Sequence, residues 1–487
     1  MRSICIALGA AAALSLVLWA SAYALDQGLD ITGDVRLRLR HVDSADSGAL
    51  SGTYGESLGE GYSLKHRFVL EAAYPLTDEV KVGGMIRVSN EGREVLLAGP
   101  DYLSSELGSA FIAYETPTLR SQLGYYSTSY TPLTLMRWDV EDDPEGGGGG
   151  CGCAGAPSVA GAILGETLEE LGPALTFEGV RASVTPGGTF GLDGFLARPR
   201  TADADYQMIT TGGRASLTRY ALRTSSFFDL GLVAVRSAED ENSLESLHRA
   251  GVRPFKNTVC GITWSVPILK ALSLGGEWTL TKSAGDRRDL SCVRTDGETV
   301  ACADKQGKGG IVSLDLRPSK SIKAEASYLY LSPNWESYFR ALSYNPNREG
   351  LRVRLEVARG PVVVAAFARY LRTIYPAPPS GSPAPAEDAN KMAHPTFSLR
   401  TYLKLSPALN LGLAGIYSGS GLEDDGPTLA LDTKKITLVG TLAFEFARDA
   451  RITIEERYVS NRIDSSNSTD HNYDVSLISL YVRAAIW

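Results

Sequence analysis

The sequence predicts an all-β fold: a transmembrane, antiparallel, up-and-down β-barrel of about twenty strands, bounded at sixteen to twenty-two. Three observations predict it. Apolar and polar residues alternate with period two over segments of about ten residues, which is the pattern of a strand with unlike faces. Short turns and long polar loops alternate along the chain. The last stretch, His471 to Trp487, is extended in character and closes on an aromatic residue. An apolar edge strand there would invite aggregation unless it closed a ring against the first strand.

Residues 1–24 read as a cleaved secretory signal peptide. Arg2 supplies the positive start, Ile4 to Trp19 the apolar run, and Ser21-Ala22-Tyr23-Ala24 a small-residue cleavage site. The mature chain is expected to begin at Leu25 and to form one barrel domain, 25–487. Without Arg2, 56 acidic residues stand against 47 of the 48 basic ones, a balance that argues against nucleic acid as a partner.

Asp34 to Arg40 sets Val35, Leu37 and Leu39 against Arg36, Arg38 and Arg40. Three arginines on one face need water or acidic partners, so that face is expected in a polar lumen and the aliphatic face in lipid. Leu64 to Tyr74 repeats the pattern, with Lys65, Arg67 and Glu71 inward, and Val80 to Val88 continues it with Lys81 and Arg87. Later hairpins add Arg352 and Arg354 with Glu356, Arg400 and Lys404, then Arg451 and Arg457. These thirteen cations face fewer inward acids (Asp34, Glu71, Glu79, Glu356, Glu445 and Glu455), which predicts a positive lumen and an anion preference. Short turns fall at 75–79, 116–119, 185–188, 219–223, 265–270, 317–320, 359–361, 405–408 and 447–450, and longer polar loops expected outside the barrel lie between them, 332–347 among these. Nine such turns join eighteen strands, and the first and last strands complete the ring. The final strand leaves two readings: a bulge near Ser479 reverses its faces, or both of its faces are apolar.

The long third loop, 128–173, carries Glu141-Asp-Asp-Pro-Glu145, five glycines, Cys151-Gly-Cys153 and a short amphipathic helix with Glu166, Glu169 and Glu170 on its polar side. Cys292 and Cys302 share one exported loop and are expected to form a disulfide, which by chain entropy contributes about 2–3 kcal/mol. Cys151 and Cys153 leave metal binding and disulfide formation both open. Cys260 is in phase with Ile262 and Trp264 and is expected to face lipid. The chain has no Cys-x-x-Cys-His, Gly-x-Ser-x-Gly, His-Glu-x-x-His or phosphate-binding glycine loop, and its five histidines are scattered. No catalytic or metal residues and no cofactor are assigned.

The stretch ending at Tyr481 and Trp487 resembles the closing strand of bacterial outer-membrane barrels, which typically ends in Phe or Trp. The resemblance implies that the barrel assembly machinery reads it. Through its overall pattern the mature chain resembles Gram-negative porins, and its arginine-lined wall is similar to that of the alginate-export porin family. This implies an outer-membrane channel for passive diffusion of small hydrophilic solutes, surrounded by outer-membrane lipids and lipopolysaccharide. General porins fold their third loop into the barrel, which would bring Glu166, Glu169 and Glu170 to a constriction; the other reading is an external loop with a surface helix. The alternative function is a barrel sheathing a multihaem cytochrome supplied by a partner chain, as in porin–cytochrome conduits.

Overall fold

The computed structural model describes residues 30–44, 61–89, 95–96, 104–135, 176–199, 208–221, 226–239, 254–285, 305–339, 346–374, 392–422, 432–447, 450–464 and 473–486. The expected signal peptide, Glu166, Glu169, Glu170, Cys151, Cys153, Cys292, Cys302 and Trp487 lie outside them.

The described residues form strands in chain order: β1 (Asp30–Ser44), β2 (Gly61–Pro75), β3 (Val80–Ser89), β4 (Val95–Leu96), β5 (Ser104–Glu115), β6 (Leu119–Ser127) and β7 (Thr176–Val184). There follow β8 (Phe190–Pro199), β9 (Met208–Ala221), β10 (Ser226–Glu239), β11 (Lys256–Leu269), β12 (Leu272–Ala284), β13 (Lys305–Ser319) and β14 (Ile322–Leu331). The last third holds β15 (Arg348–Arg359), β16 (Val362–Thr373), β17 (Met392–Lys404), β18 (Leu409–Leu422), β19 (Asp432–Ala447), β20 (Ala450–Asp464) and β21 (Tyr473–Ile486). Every pairing between them is antiparallel and nearly all join neighbours in sequence. The exceptions are the two-residue β4, which lies against β2 while β3 passes on to β5, and the closure itself. With β4 set aside, twenty strands make the ring. β1 meets β2 on one side and β21 on the other, from Gly33 opposite Ile486 to Ser44 opposite Val475. Closure leaves no sheet edge, which lets a sheet cross a membrane with its backbone groups paired.

Tight connections are described at 76–79, 116–118, 185–189, 270–271, 320–321, 360–361 and 405–408. The turns read at 265–270 and 317–320 lie mostly within β11 and β13, and those read at 219–223 and 447–450 include residues outside the described ones. Small hydroxyl side chains fasten several of them by accepting backbone N–H groups, as such side chains do in turns. Thr77 Oγ1 accepts from Val80 (3.0 Å), Thr116 Oγ1 from Leu119 (3.0 Å) and Ser406 Oγ from Leu409 (3.0 Å). Gly360 turns the chain between β15 and β16 with φ 59°, a left-handed conformation that costs a side chain but not glycine. The described tight turns, the paired ends of β9–β10 and β19–β20, the start of β1 and the end of β21 lie at one end of the ring; the strand ends that lead into the long connections lie at the other.

Burial is inside out relative to a soluble protein. Leu232, Leu280, Leu351, Leu399 and Leu413 point outward and are more than half exposed, while Thr210, Thr279, Thr281, Thr437 and Thr441 point inward and are buried. An apolar surface running round twenty strands is far larger than the patches water tolerates, so its medium is lipid. Cys260 is an exposed free thiol on this outer face, as its phase with Ile262 predicts. The register of β21 with β20 runs without a shift from Ala484 opposite Ala450 to Tyr473 opposite Asn461, so no bulge reverses its faces near Ser479. Ile478 and Leu480 are its exposed, outward residues. Tyr481 occupies the alternate set, opposite Arg38 on β1 and Thr453 on β20.

Candidate functional site

The interior of the ring is the functional site, and two segments from the long-loop end narrow it. The third long connection, after β6, begins by turning back along the inner wall. Tyr130 donates its hydroxyl to Asp193 of β8, and Thr131 Oγ1 donates to Glu277 of β12, which also accepts the Leu133 N–H at 3.4 Å. Burial, and then the hydrogen bond to Asp193, holds the Tyr130 phenol above its ordinary pKa. Residues 128–135 thus reach from β8 to β12 with Leu133 and Leu135 fully buried.

The second segment, Ser332 to Phe339 after β14, lies across β11–β13. Trp335 Nε1 donates to Thr279 Oγ1 (3.0 Å), Glu336 N–H to Thr281 Oγ1 (3.2 Å), and Asn257 Nδ2 to the Glu336 carbonyl (2.9 Å). Gly309 makes room for it: a Cβ there would stand 2.7 Å from Trp335 Nε1. Leu135 forms a parallel bridge with Phe339, and Ser337 Oγ donates to the Thr134 carbonyl at 3.3 Å, so each segment holds the other. Phe339 and Phe177 meet edge to face at 5.8 Å inside an apolar cluster with Tyr126, Phe195 and Val235. From sequence, 332–347 is expected to be a polar external loop; 332–339 instead lies against the inner wall. Three aromatics within five residues, Trp335, Tyr338 and Phe339, were the available signal, because a solvated loop has no use for such apolar area.

Charge on the inner wall is divided by sector. β8–β13 bring Asp193, Asp229, Glu239, Glu277 and Asp315 inward, joined mainly by Arg214. Asp193 is gripped by Arg181 of β7 through Nη2 (2.8 Å) and Nε (3.0 Å), and Asp229 accepts from Thr218 Oγ1 (2.5 Å). β15–β17 instead bring Arg348, Arg352, Arg354, Arg369, Arg400 and Lys404 inward, with Glu356 as their acid. Arg352 reaches Glu325 (2.8 Å) and Ser327 (3.1 Å) of β14, Arg354 lies 3.6 Å from Glu356, and Arg369 donates to Thr396 (3.1 Å). His394 abuts Arg348.

The residues expected to line the pore fall as follows. Arg352, Arg354, Arg400, Lys404, Arg451 and Arg457 all belong to inward sets, and Arg354 and Lys404 are exposed there. Arg457 is buried and paired with Glu455 at 3.1 Å. Lys81 is exposed beside the first short turn. For Arg36, Arg38, Arg40, Lys65, Arg67 and Arg87 the structure describes strand and register. These align Arg451, Arg483, Arg36 and Arg67 in one row across β20, β21, β1 and β2. Neighbouring strands are about 4.8 Å apart, so the row spans about 14 Å. Sequence reading omitted the inward Arg348, which precedes the alternation read from Leu351, and also Arg369 and the acids of β8–β13, in whose strands it did not resolve a polar–apolar alternation.

No protein-family model and no curated protein matches the chain. Among solved structures it is similar to Pseudomonas aeruginosa OpdL, at 12% identity and TM-score 0.44, covering 94% of this chain and 99% of the other. It is also similar to the Pseudomonas aeruginosa outer membrane protein OpdK, at 10% identity and TM-score 0.43, with 94% and 99% covered. A third similar structure is a BenF-like porin from Pseudomonas fluorescens Pf-5, at 11% identity and TM-score 0.43, with the same coverage.

Proposed function

We propose that this protein is an outer-membrane channel of porin type in a Gram-negative bacterium, through which small hydrophilic solutes diffuse passively, anions in preference to cations. The observation that carries the reading is a closed twenty-strand ring with lipid-compatible residues outside, charged residues inside and two loop segments pinned within. Water and ions have a reason to enter such a lumen, and the pinned segments restrict its width. The anion preference rests on the inward cations of β15–β17 and on the four-arginine row at the seam. Low-dielectric walls focus such charge along the pore. The acids of β8–β13 act against it, so the preference is weaker than the thirteen cations read from sequence imply. The segments 128–135 and 332–339 take up interior space that a sheathed cytochrome would need, which favours the channel over the conduit.

Single-channel recording of the purified protein in planar bilayers tests this. The expected result is stable conductance steps and, in a tenfold KCl gradient, a reversal potential on the chloride side. Absence of conductance overturns the channel; a potassium preference overturns the anion assignment.

A further inference from the structure

At the short-turn end, cations gather on one arc of the rim. β11–β12, β13–β14 and β15–β16 are joined by two-residue turns whose closing pairs are Leu269 with Leu272, Ser319 with Ile322, and Arg359 with Val362. Lys270 and Lys320 open the first two turns and Arg359 flanks the third; all three are exposed. A backbone hydrogen bond ties each turn to the next strand. The Arg317 N–H donates to the Ala271 carbonyl (2.7 Å), the Ala358 N–H to Ser321 (2.8 Å) and the Lys404 N–H to Pro361 (2.8 Å). At the usual strand spacing, Lys270 and Arg359 lie about 17 Å apart along the rim, with Lys320 between them. The apolar belt runs up to these turns, where Ile268, Leu269, Leu316 and Ile322 are exposed.

Among the described residues, none of these three side chains forms an ion pair or a hydrogen bond. The acids of this arc, Asp315, Glu325 and Glu356, belong to inward sets, where Arg352 holds Glu325 at 2.8 Å and Lys323 holds Glu356 at 3.1 Å. The opposite arc differs. Its 76–79 turn carries Asp78 and Glu79, Glu115 bridges Arg120 at 2.8 Å beside the 116–118 turn, and 185–189 has no charged residue. Short turns of outer-membrane barrels face the periplasm, so this end meets the phospholipid leaflet. Cations at the edge of an apolar belt attract anionic headgroups held at that depth. We propose that Lys270, Lys320 and Arg359 form a binding site for the phosphate groups of anionic phospholipids in the periplasmic leaflet, whose acyl chains lie along Leu269, Leu316 and Ile322. A soluble anion satisfies the charges but leaves the adjoining apolar belt unused; a lipid engages both.

The proposal rests on the membrane-channel reading and names a partner for its periplasmic rim. The test compares the full-length protein with a Lys270→Gln/Lys320→Gln/Arg359→Gln variant. A control, Arg236→Gln/Lys282→Gln/Lys308→Gln, makes the same charge change at exposed positions near the long-loop end. Each protein is purified in detergent, incubated with equal amounts of phosphatidylglycerol and phosphatidylcholine of matched acyl chains, and assayed by native mass spectrometry for retained lipid. Wild type and control should retain phosphatidylglycerol with about tenfold preference, and the turn variant should lose that preference. Heat-modifiable gel migration and bilayer conductance, unchanged in both variants, show that barrel and channel are intact. If the turn variant keeps the preference, or the control loses it equally, the site is wrong while the channel stands. If glycerol phosphate, which has no acyl chains, competes as well as the lipid does, the arc is a free-anion site and the lipid assignment fails. If wild type shows no preference, the arc does not select a lipid, and the assignment fails equally. Wild-type protein that forms no channel overturns the reading beneath the proposal, which keeps the two failures apart.

Discussion

The inner walls of β8–β13 and β15–β17 are built from the same alternation and carry opposite charge. In the first, threonines, serines and acids face inward, and the segments from the third and seventh long connections lie on them. In the second, six cations face inward with one acid among them. The difference shows what periodicity decides and what it leaves open. Period two assigns a residue to a face, because successive side chains alternate. It says nothing of the sign that face presents, or of whether a loop returns to cover it. Loop cover follows from chemistry: Thr281, Asn257 and Glu277 accept backbone N–H groups of the returning segments and Thr279 accepts the Trp335 indole N–H, whereas a wall of arginines offers a lid without acids no such acceptors.

The largest test of this contrast removes the pin. Trp335→Ala deletes a fully buried side chain and its bond to Thr279, a change that typically costs about 3–5 kcal/mol in a packed site. The ring does not depend on this contact, so the loss should appear as release of segment 332–339 and, through Leu133 and Ser337, of the third connection. Single-channel conductance should rise severalfold with added flicker, while heat-modifiable migration persists. Conductance equal to wild type would mean that the segments do not limit the pore.

The test also marks where the sequence was legible. Most of the turns, the closure of β21 on β1 and the outward aliphatic sets were readable, since each depends on local residue type or on strict alternation. The wall contrast was not. In β16, Val363, Ala365, Phe367 and Arg369 all face inward, so an inner face that is mostly apolar hides its one arginine from a polar–apolar count. In β12, threonines on the inner face look like ordinary strand formers until Trp335 is seen against them. The pinning contacts are long-range, between residues 131 and 277 or 134 and 337, and no local window contains both ends.

A smaller effect sharpens the charge contrast itself. Neutralising Arg352, Arg354 and Arg400 to Gln should lower the chloride-to-potassium permeability ratio, and Asp229→Asn with Asp315→Asn should raise it. Changes in opposite directions are expected because the two sectors face one lumen. Both shifts should shrink between 0.01 M and 0.1 M salt, as the screening length falls from about 30 Å to about 10 Å. Two sets of substitutions moving the ratio the same way would show that the sectors do not act on a common path.

The smallest expected effect lies on the outer face, where a mid-strand carboxylate interrupts the apolar belt. Glu456 points outward on β20 between Ile454 and Tyr458, opposite Gly440 on β19 and Ile478 on β21. It borders a cavity of about 510 Å³ floored by Gly415 and Gly440 and rimmed by Leu399, Leu413 and Leu438. The two glycines leave the depression, and the carboxylate stands beside it amid aliphatic neighbours. A cation on the lipid face of a barrel costs about 2–4 kcal/mol at the midplane, and an acid costs less. Glu456→Leu should therefore stabilise the folded barrel by up to about 2 kcal/mol, read as a higher urea midpoint in lipid vesicles with an unchanged slope. The inward pair one position away, Glu455 with Arg457, gives the opposite sign. Glu455→Leu takes the 3.1 Å carboxylate partner from the buried Arg457 guanidinium and should destabilise the barrel by up to about 3–5 kcal/mol. A Glu456→Leu protein no more stable than wild type would mean that a partner group already satisfies this carboxylate on the outer wall.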